Sequence, residues 1–193
     1  QPHQMTVAWN ALAGATYYQV ERSTNGKTYT TVASSLTSTS YTDNNVTPLG
    51  EYYYRVTAWN ENARGTERVV FAAAPAAAGL PTPWLTQDIG TVGGTGAAKY
   101  DNGVFTIVAA GDEIFDSTDE FRYVYRSITS TSFSYTAQVT SVENTNYWSK
   151  AGLMIRESTA VGAKHAMIYI SPNMAVFQSR SSTNDRIYDT YGP

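Results

Sequence analysis

The chain contains no cysteine, which excludes disulfides, thiolate metal sites and a cysteine nucleophile together. Charged residues are scarce, at 15% of 193 positions, against the quarter usual in soluble domains. Their balance is a formal −3 with two histidines, so the sequence carries no basic footprint for nucleic acid or an anionic membrane. Long apolar runs are missing too. No stretch approaches the length of a membrane-spanning helix, and the first residues do not read as a signal peptide. Strong helical periodicity is absent throughout.

In place of these the chain has Thr, Ser, Ala, Asn and 15 Tyr, and 13% of it is aromatic, a composition that favours strands. The Ser/Thr/Tyr-rich, Lys-poor surface points to an extracellular protein, secreted or on the cell surface. The length suits two small domains. Composition breaks once, at Ala72-Ala-Ala-Pro-Ala-Ala-Ala-Gly-Leu-Pro-Thr-Pro83, where Pro75, Gly79, Pro81 and Pro83 interrupt any helix and leave a semi-stiff spacer. The expected division is a sandwich over residues 1–73, a linker over 74–83 and a second sandwich over 84–193.

Before the linker, alternating runs recur between turn signals: Met5 to Trp9, Tyr17 to Arg22, Tyr29 to Ala33, Ser40 to Thr42 and Tyr52 to Trp59. Asn25-Gly26 is read as a tight hairpin turn, because both residue types tolerate positive φ. Trp9, the Tyr18/Val20 pair, Tyr41-Thr-Asp43, Val46, Tyr52, Tyr54, Val56, Ala58, Asn60 and Gly65 resemble a fibronectin type III domain over about residues 4–73. The resemblance implies that Trp9 is a core tryptophan and Tyr52 a tyrosine-corner residue. It also implies a first strand ahead of Met5, so this domain is expected to be incomplete at its N-terminal end.

After the linker, strands are expected at 104–109, 121–126, 134–142, 150–157, 164–170 and 174–180, joined by short connections as in an antiparallel sandwich. Asp88-Ile-Gly90, Tyr100-x-Asn-Gly103 with Phe105, Gly111-Asp112, Asp119-Glu-Phe121, Trp148-Ser-Lys-Ala-Gly-Leu-Met-Ile-Arg-Glu-Ser158 and Phe177-Gln-x-Arg180 carry a second resemblance. They are similar to the bacterial concanavalin A-like lectin/glucanase domains, with a jelly-roll fold. Members of that family continue through further strands, so this domain is expected to be incomplete at its C-terminal end and completed by the rest of a larger polypeptide or by a second chain. The fold class expected for the whole is therefore all-β, two antiparallel sandwiches.

Candidate chemistry lies in two places. Gly111 to Glu120 carries five carboxylates. Asp112, Asp116 and Asp119 are candidate calcium ligands; otherwise these side chains cap turns, and the spacing departs from the paired carboxylates of glycoside hydrolases. The second candidate is a sheet face. If Ala151, Leu153, Ile155, Ala166, Ile168, Ile170 and Phe177 form the core, then Met154, Arg156, His165, Met167, Tyr169, Gln178 and Arg180 share the solvent side with Lys150 and Gln138. Amide, guanidinium and phenol groups beside Tyr147 and Trp148 suit a sugar, whose CH faces stack on rings while its hydroxyls need partners. The candidate contacts are Tyr147, Trp148, Arg156, Tyr169, Gln178 and Arg180. The alternative is that Arg156 and Arg180 pair with acidic neighbours and Trp148 packs under a loop. Three functions are weighed: a non-catalytic accessory region that binds polysaccharide, a structural component of a surface assembly or filament, and a glycoside hydrolase fragment. No cofactor other than calcium is implied.

Overall fold

The computed structural model describes residues 3–60, 64–75 and 79–191, except the side chain of Thr66. Among these residues the chain is all-β, with antiparallel pairing dominant and no helix. In chain order the strands are β1 (Met5–Ala8), β2 (Tyr17–Ser23), β3 (Thr30–Leu36), β4 (Ser40–Asp43), β5 (Glu51–Trp59), β6 (Arg64–Ala73), β7 (Leu85–Ile89), β8 (Gly94–Thr95) and β9 (Ala97–Asp101). They continue as β10 (Val104–Val108), β11 (Ile114–Phe115), β12 (Thr118–Asp119), β13 (Phe121–Tyr125), β14 (Ala151–Arg156), β15 (His165–Ile170), β16 (Ala175–Arg180) and β17 (Tyr188–Tyr191). Two compact units result: Gln1–Asp112 with Phe121–Arg126, and Glu113–Glu120 with Ser127–Pro193. This partition differs from one drawn at the Ala/Pro segment. Ala72 and Ala73 belong to β6, Ala74 is buried and bonds to Leu49 and Gly50, and residues 76–78 lie outside the described set.

The first unit is built on the sheet β3-β2-β5-β6-β8, with the pair β1-β4 contributing to the same core. Alternation in β5 buries Tyr52, Tyr54, Val56 and Ala58 against Val20, Val7 and Met5, as period-two patterning requires of a half-buried strand. The Tyr54 hydroxyl reaches Asp43, 2.9 Å away, and Arg22 closes on the same carboxylate at 2.8 Å. Burial, then that carboxylate, pushes the Tyr54 hydroxyl well above its ordinary pKa, so it stays a neutral donor. The Thr47 amide donates to the Tyr52 hydroxyl at 2.8 Å, the backbone-to-ring bond of a tyrosine corner. Trp9 packs edge-on to Tyr18 with centroids 5.4 Å apart.

Two expectations for turns and strands need correction. Asn25-Gly26 is not a tight hairpin: six residues separate β2 from β3, and of the two only Gly26 has positive φ. The Asn25 side chain instead accepts the amides of Lys27 and Thr28, forming a wider Asx-type loop. The two-residue hairpin lies at Asn102-Gly103, where both residues have positive φ (47° and 88°) and β9 pairs directly with β10. Residues 134–142 alternate like a strand but belong to no sheet.

The second unit is the antiparallel sheet β14-β15-β16-β17 plus the short hairpin β11-β12. Its register places Leu153, Ile168, Phe177 and Thr190 in one row, and Met154, Met167, Gln178 and Asp189 in the next. The sheet therefore has one apolar face and one mixed polar face, as its sequence alternation demands.

Candidate functional site

Which of those faces is buried is the reverse of the expectation. His165, Met167, Tyr169, Val176, Gln178 and Arg180 are all buried. On the other side Ile155, Ile168, Phe177 and Tyr188 are 50%, 57%, 47% and 50% exposed. The proposed core of Ala151, Leu153, Ile155, Ala166, Ile168, Ile170 and Phe177 is thus the outward face, and the face expected in solvent is the inner one.

A single buried carboxylate gathers the arginines of this inner face. Asp119 ends the β11-β12 hairpin and is fully buried. Its two oxygens accept a bidentate pair of bonds from Arg180, at 2.8 and 2.9 Å, and Arg156 lies 3.2 Å from the second oxygen. The side chains of all three are at most 2% exposed. A bidentate guanidinium–carboxylate pair is geometrically demanding and strong, and buried ions persist only where every remaining donor is satisfied. Arg180 meets that requirement through the carbonyls of Asp185 (2.8 Å), Asp116 (2.7 Å) and Ala163 (3.3 Å). Arg156 does so through the carbonyls of Ser158 (2.7 Å) and Ala160. The two arginines thus sit in a built cage, which realises the acid-pairing alternative read from the sequence.

Four further groups lie on this side of the sheet. The His165 Nδ1 lies 3.3 Å from the Ala163 carbonyl and 3.5 Å from Arg180, while its Nε2 is buried with no hydrogen-bond partner. Burial pushes the imidazole pKa down; Asp119 and the Ala163 carbonyl oppose this, and Arg180 and Arg156 add to it. Lys150 lies 5.5 Å from the Tyr169 ring centroid, and burial lowers its pKa against the pull of Glu113, Asp189 and Asp119. Burial raises the Tyr169 hydroxyl to about 12. Gln178 donates to Asp189 at 3.0 Å.

The six candidate sugar contacts are therefore divided. Arg156, Tyr169, Gln178 and Arg180 meet in the interior, whereas Tyr147 and Trp148 are 53% and 52% exposed, their rings 4.9 Å apart and nearly perpendicular. The Trp148 amide donates to the Asn146 side-chain oxygen at 2.9 Å, an Asx-type bond that shapes the turn carrying both rings. The calcium set does not assemble. Asp119 has both oxygens engaged by arginine, and no group of three His, Asp or Glu among the described residues could hold a metal ion. Sequence reasoning missed the outward role of Ile155, Ile168, Phe177 and Tyr188. The available signal was the need of two same-face arginines for a buried carboxylate.

No family model matches the sequence, and no curated protein sequence matches it. Among solved structures the chain is similar to a Fn3-like protein from Clostridium thermocellum, at 38% identity, covering 36% of this chain and 75% of that one, with a TM-score of 0.35.

Proposed function

We propose that the chain is a non-catalytic binding module of an extracellular protein, secreted or on the cell surface, in which the first unit is a spacer and the second makes the contact. A fibronectin type III reading of residues 4–73, within the first unit, is supported by the Thr47–Tyr52 corner bond and the Trp9–Tyr18 packing. A concanavalin A-like reading of residues 84–193 is supported by sequence motifs alone, and these fall in both compact units. The observation that carries the function is the outward apolar face of β14–β17, centred on Ile155, Ile168 and Phe177.

Four strands about 4.8 Å apart and about six residues long span roughly 400 Å², within the range of the largest apolar patch on an ordinary monomer, a patch that is often functional. Burying that area stabilises by about 10 kcal/mol before costs, and association costs about 4–15 kcal/mol. Such a face supports an assembly contact, the structural alternative named from the sequence. Polysaccharide binding is the second reading, and its support is the exposed Tyr147–Trp148 pair.

The test is titration with the apolar dye 8-anilinonaphthalene-1-sulfonate on the full chain and on an Ile168→Lys/Phe177→Lys variant. The native chain, still unfolding cooperatively, is expected to bind dye, and the variant to lose most of that signal. Equal dye binding by both, or none by the native chain, overturns the apolar face as the working surface.

A further inference from the structure

We infer that residues 133–142 are a proteolytic processing site for an endopeptidase with an apolar specificity pocket, and that the product is a two-fragment protein held together by the buried triad. The inference does not depend on the apolar face of β14–β17. β13 ends at Tyr125 and β14 begins at Ala151, so residues 126–150 join no strand. A connection longer than about 12–15 residues without structure of its own is uncommon in a compact domain, and is usually functional or a linker. From Ser127 to Val142 no residue is buried, and none is charged, proline or glycine. Phe133 and Tyr135 are 47% and 44% exposed.

Conformation, more than exposure, selects this segment. A bound extended peptide is gripped through its main chain while pockets take alternate side chains, so a cleavable bond must lie in chain that is free to extend. Ile168 and Tyr191 are more exposed, at 57% and 59%, but sit in the β14–β17 ladder and reach a protease only by local opening, which costs free energy. Residues 133–142 need no such opening, because no sheet among the described residues includes them. Tyr147 and Trp148 lie in a turn closed by Asn146, which accepts the amides of Trp148 and Ser149. No Lys or Arg occurs between Arg126 and Lys150, so the pocket that fits is apolar and takes Phe133, Tyr135, Ala137 or Val139 ahead of the cut bond. Hydrolysis breaks that C–N bond with one water: the acyl carbon gains the hydroxyl and leaves as a carboxylate, and the nitrogen gains the hydrogen and leaves as an amine. The contacts that bind 113–120 to 151–191 bypass the cut. They are the two Arg180–Asp119 bonds at 2.8 and 2.9 Å, Arg156 at 3.2 Å from Asp119, the Asp116 carbonyl 2.7 Å from Arg180, and the Asp119 amide donating to the Val161 carbonyl at 3.1 Å.

The test is limited digestion of the full chain with subtilisin, a protease with a broad apolar pocket. Cut positions are read by mass spectrometry and the fragments by size-exclusion chromatography. The first cut is expected within 133–142, about tenfold or more faster than any later one, since cleavage follows the population of the open form. The two fragments should co-elute at the parent volume in buffer and separate in concentrated urea. Asp119→Asn should be cut at the same place and its fragments should part without urea. Should that variant not fold, amide exchange over residues 114–119 of the cut parent decides instead: protection equal to the uncut chain supports retention, and loss of protection overturns it. A first cut outside 133–142, or cutting there no faster than within β15 and β16, overturns the site and shows the segment paired in solution. Parent fragments that part in buffer overturn the two-fragment product, and Asp119→Asn fragments that stay together overturn the triad as what holds it.

Discussion

Replacing Asp119 with Asn removes one negative charge, keeps the side-chain shape, and leaves Arg180 and Arg156 buried without their counterion. With charge centres about 4 Å apart and an effective dielectric near 20, each arginine–carboxylate attraction is about 4 kcal/mol. Desolvation costs several kcal/mol per ion, so the intact triad contributes little net stability. The variant keeps the desolvation cost, loses both attractions, and leaves the existing repulsion between the two guanidiniums uncompensated. The expected loss is about 3–5 kcal/mol, a large share of the total for a small domain. Denaturant unfolding with amide exchange resolved over residues 151–180 separates the second unit from the first. A companion variant, Asp119→Leu with Arg156→Met and Arg180→Met, should recover most of the loss, since apolar replacement of a whole buried ion cluster is often neutral. An Asp119→Asn chain within about 1 kcal/mol of the parent, the scale of a surface pair, would refute the assignment of the triad as the interior's organising contact.

Two further outcomes follow from the same unit. The folded pKa of His165 lies below its unfolded value, so the folded state binds its proton less readily. The stability linked to it is complete above about pH 6.5 and declines as pH falls through that value towards the lower folded pKa. The facing charges are Asp119, Arg180 and Arg156. Between about pH 7.5 and about pH 5.5, either side of that value, the denaturation midpoint should therefore fall in the native chain and hold in His165→Phe; parallel declines would contradict this. At Gly152 an added Cβ meets the Ile168 carbonyl oxygen and comes to 2.6 Å from the Tyr169 Cα, backbone atoms that yield only if β14 separates from β15. Gly152→Ala should cost about 3 kcal/mol, and a thermal midpoint equal to the parent's would show that the strands are not packed this closely.

How much of this is legible in the sequence depends on whether the deciding partner is near. β5 is legible because its Tyr52, Tyr54, Val56 and Ala58 alternation is itself the signal for a face that a sheet buries. The true two-residue hairpin at Asn102-Gly103 and the wider loop at Asn25-Gly26 share a dipeptide. What separates them is whether both residues take positive φ, which the flanking pairing decides. Residues 134–142 carry strand alternation, but a strand exists only as part of a ladder, and no sheet among the described residues includes them.

The inversion of the β14–β17 faces has the same origin and a consequence for function. Alternation identifies two faces without saying which is inside, and hydropathy alone places Leu153, Ile155, Ile168 and Phe177 there. The choice is made by Asp119, which lies 61 residues from Arg180 in sequence, and by carbonyls from Asp116, Ala163 and Asp185. Turning the sheet over would bury the aliphatic side chains but strand two guanidiniums and the Asp119 carboxylate outside their cage. The buried triad and the exposed apolar face lie on opposite sides of one sheet: with the charges satisfied within the unit, the aliphatic side chains face outward.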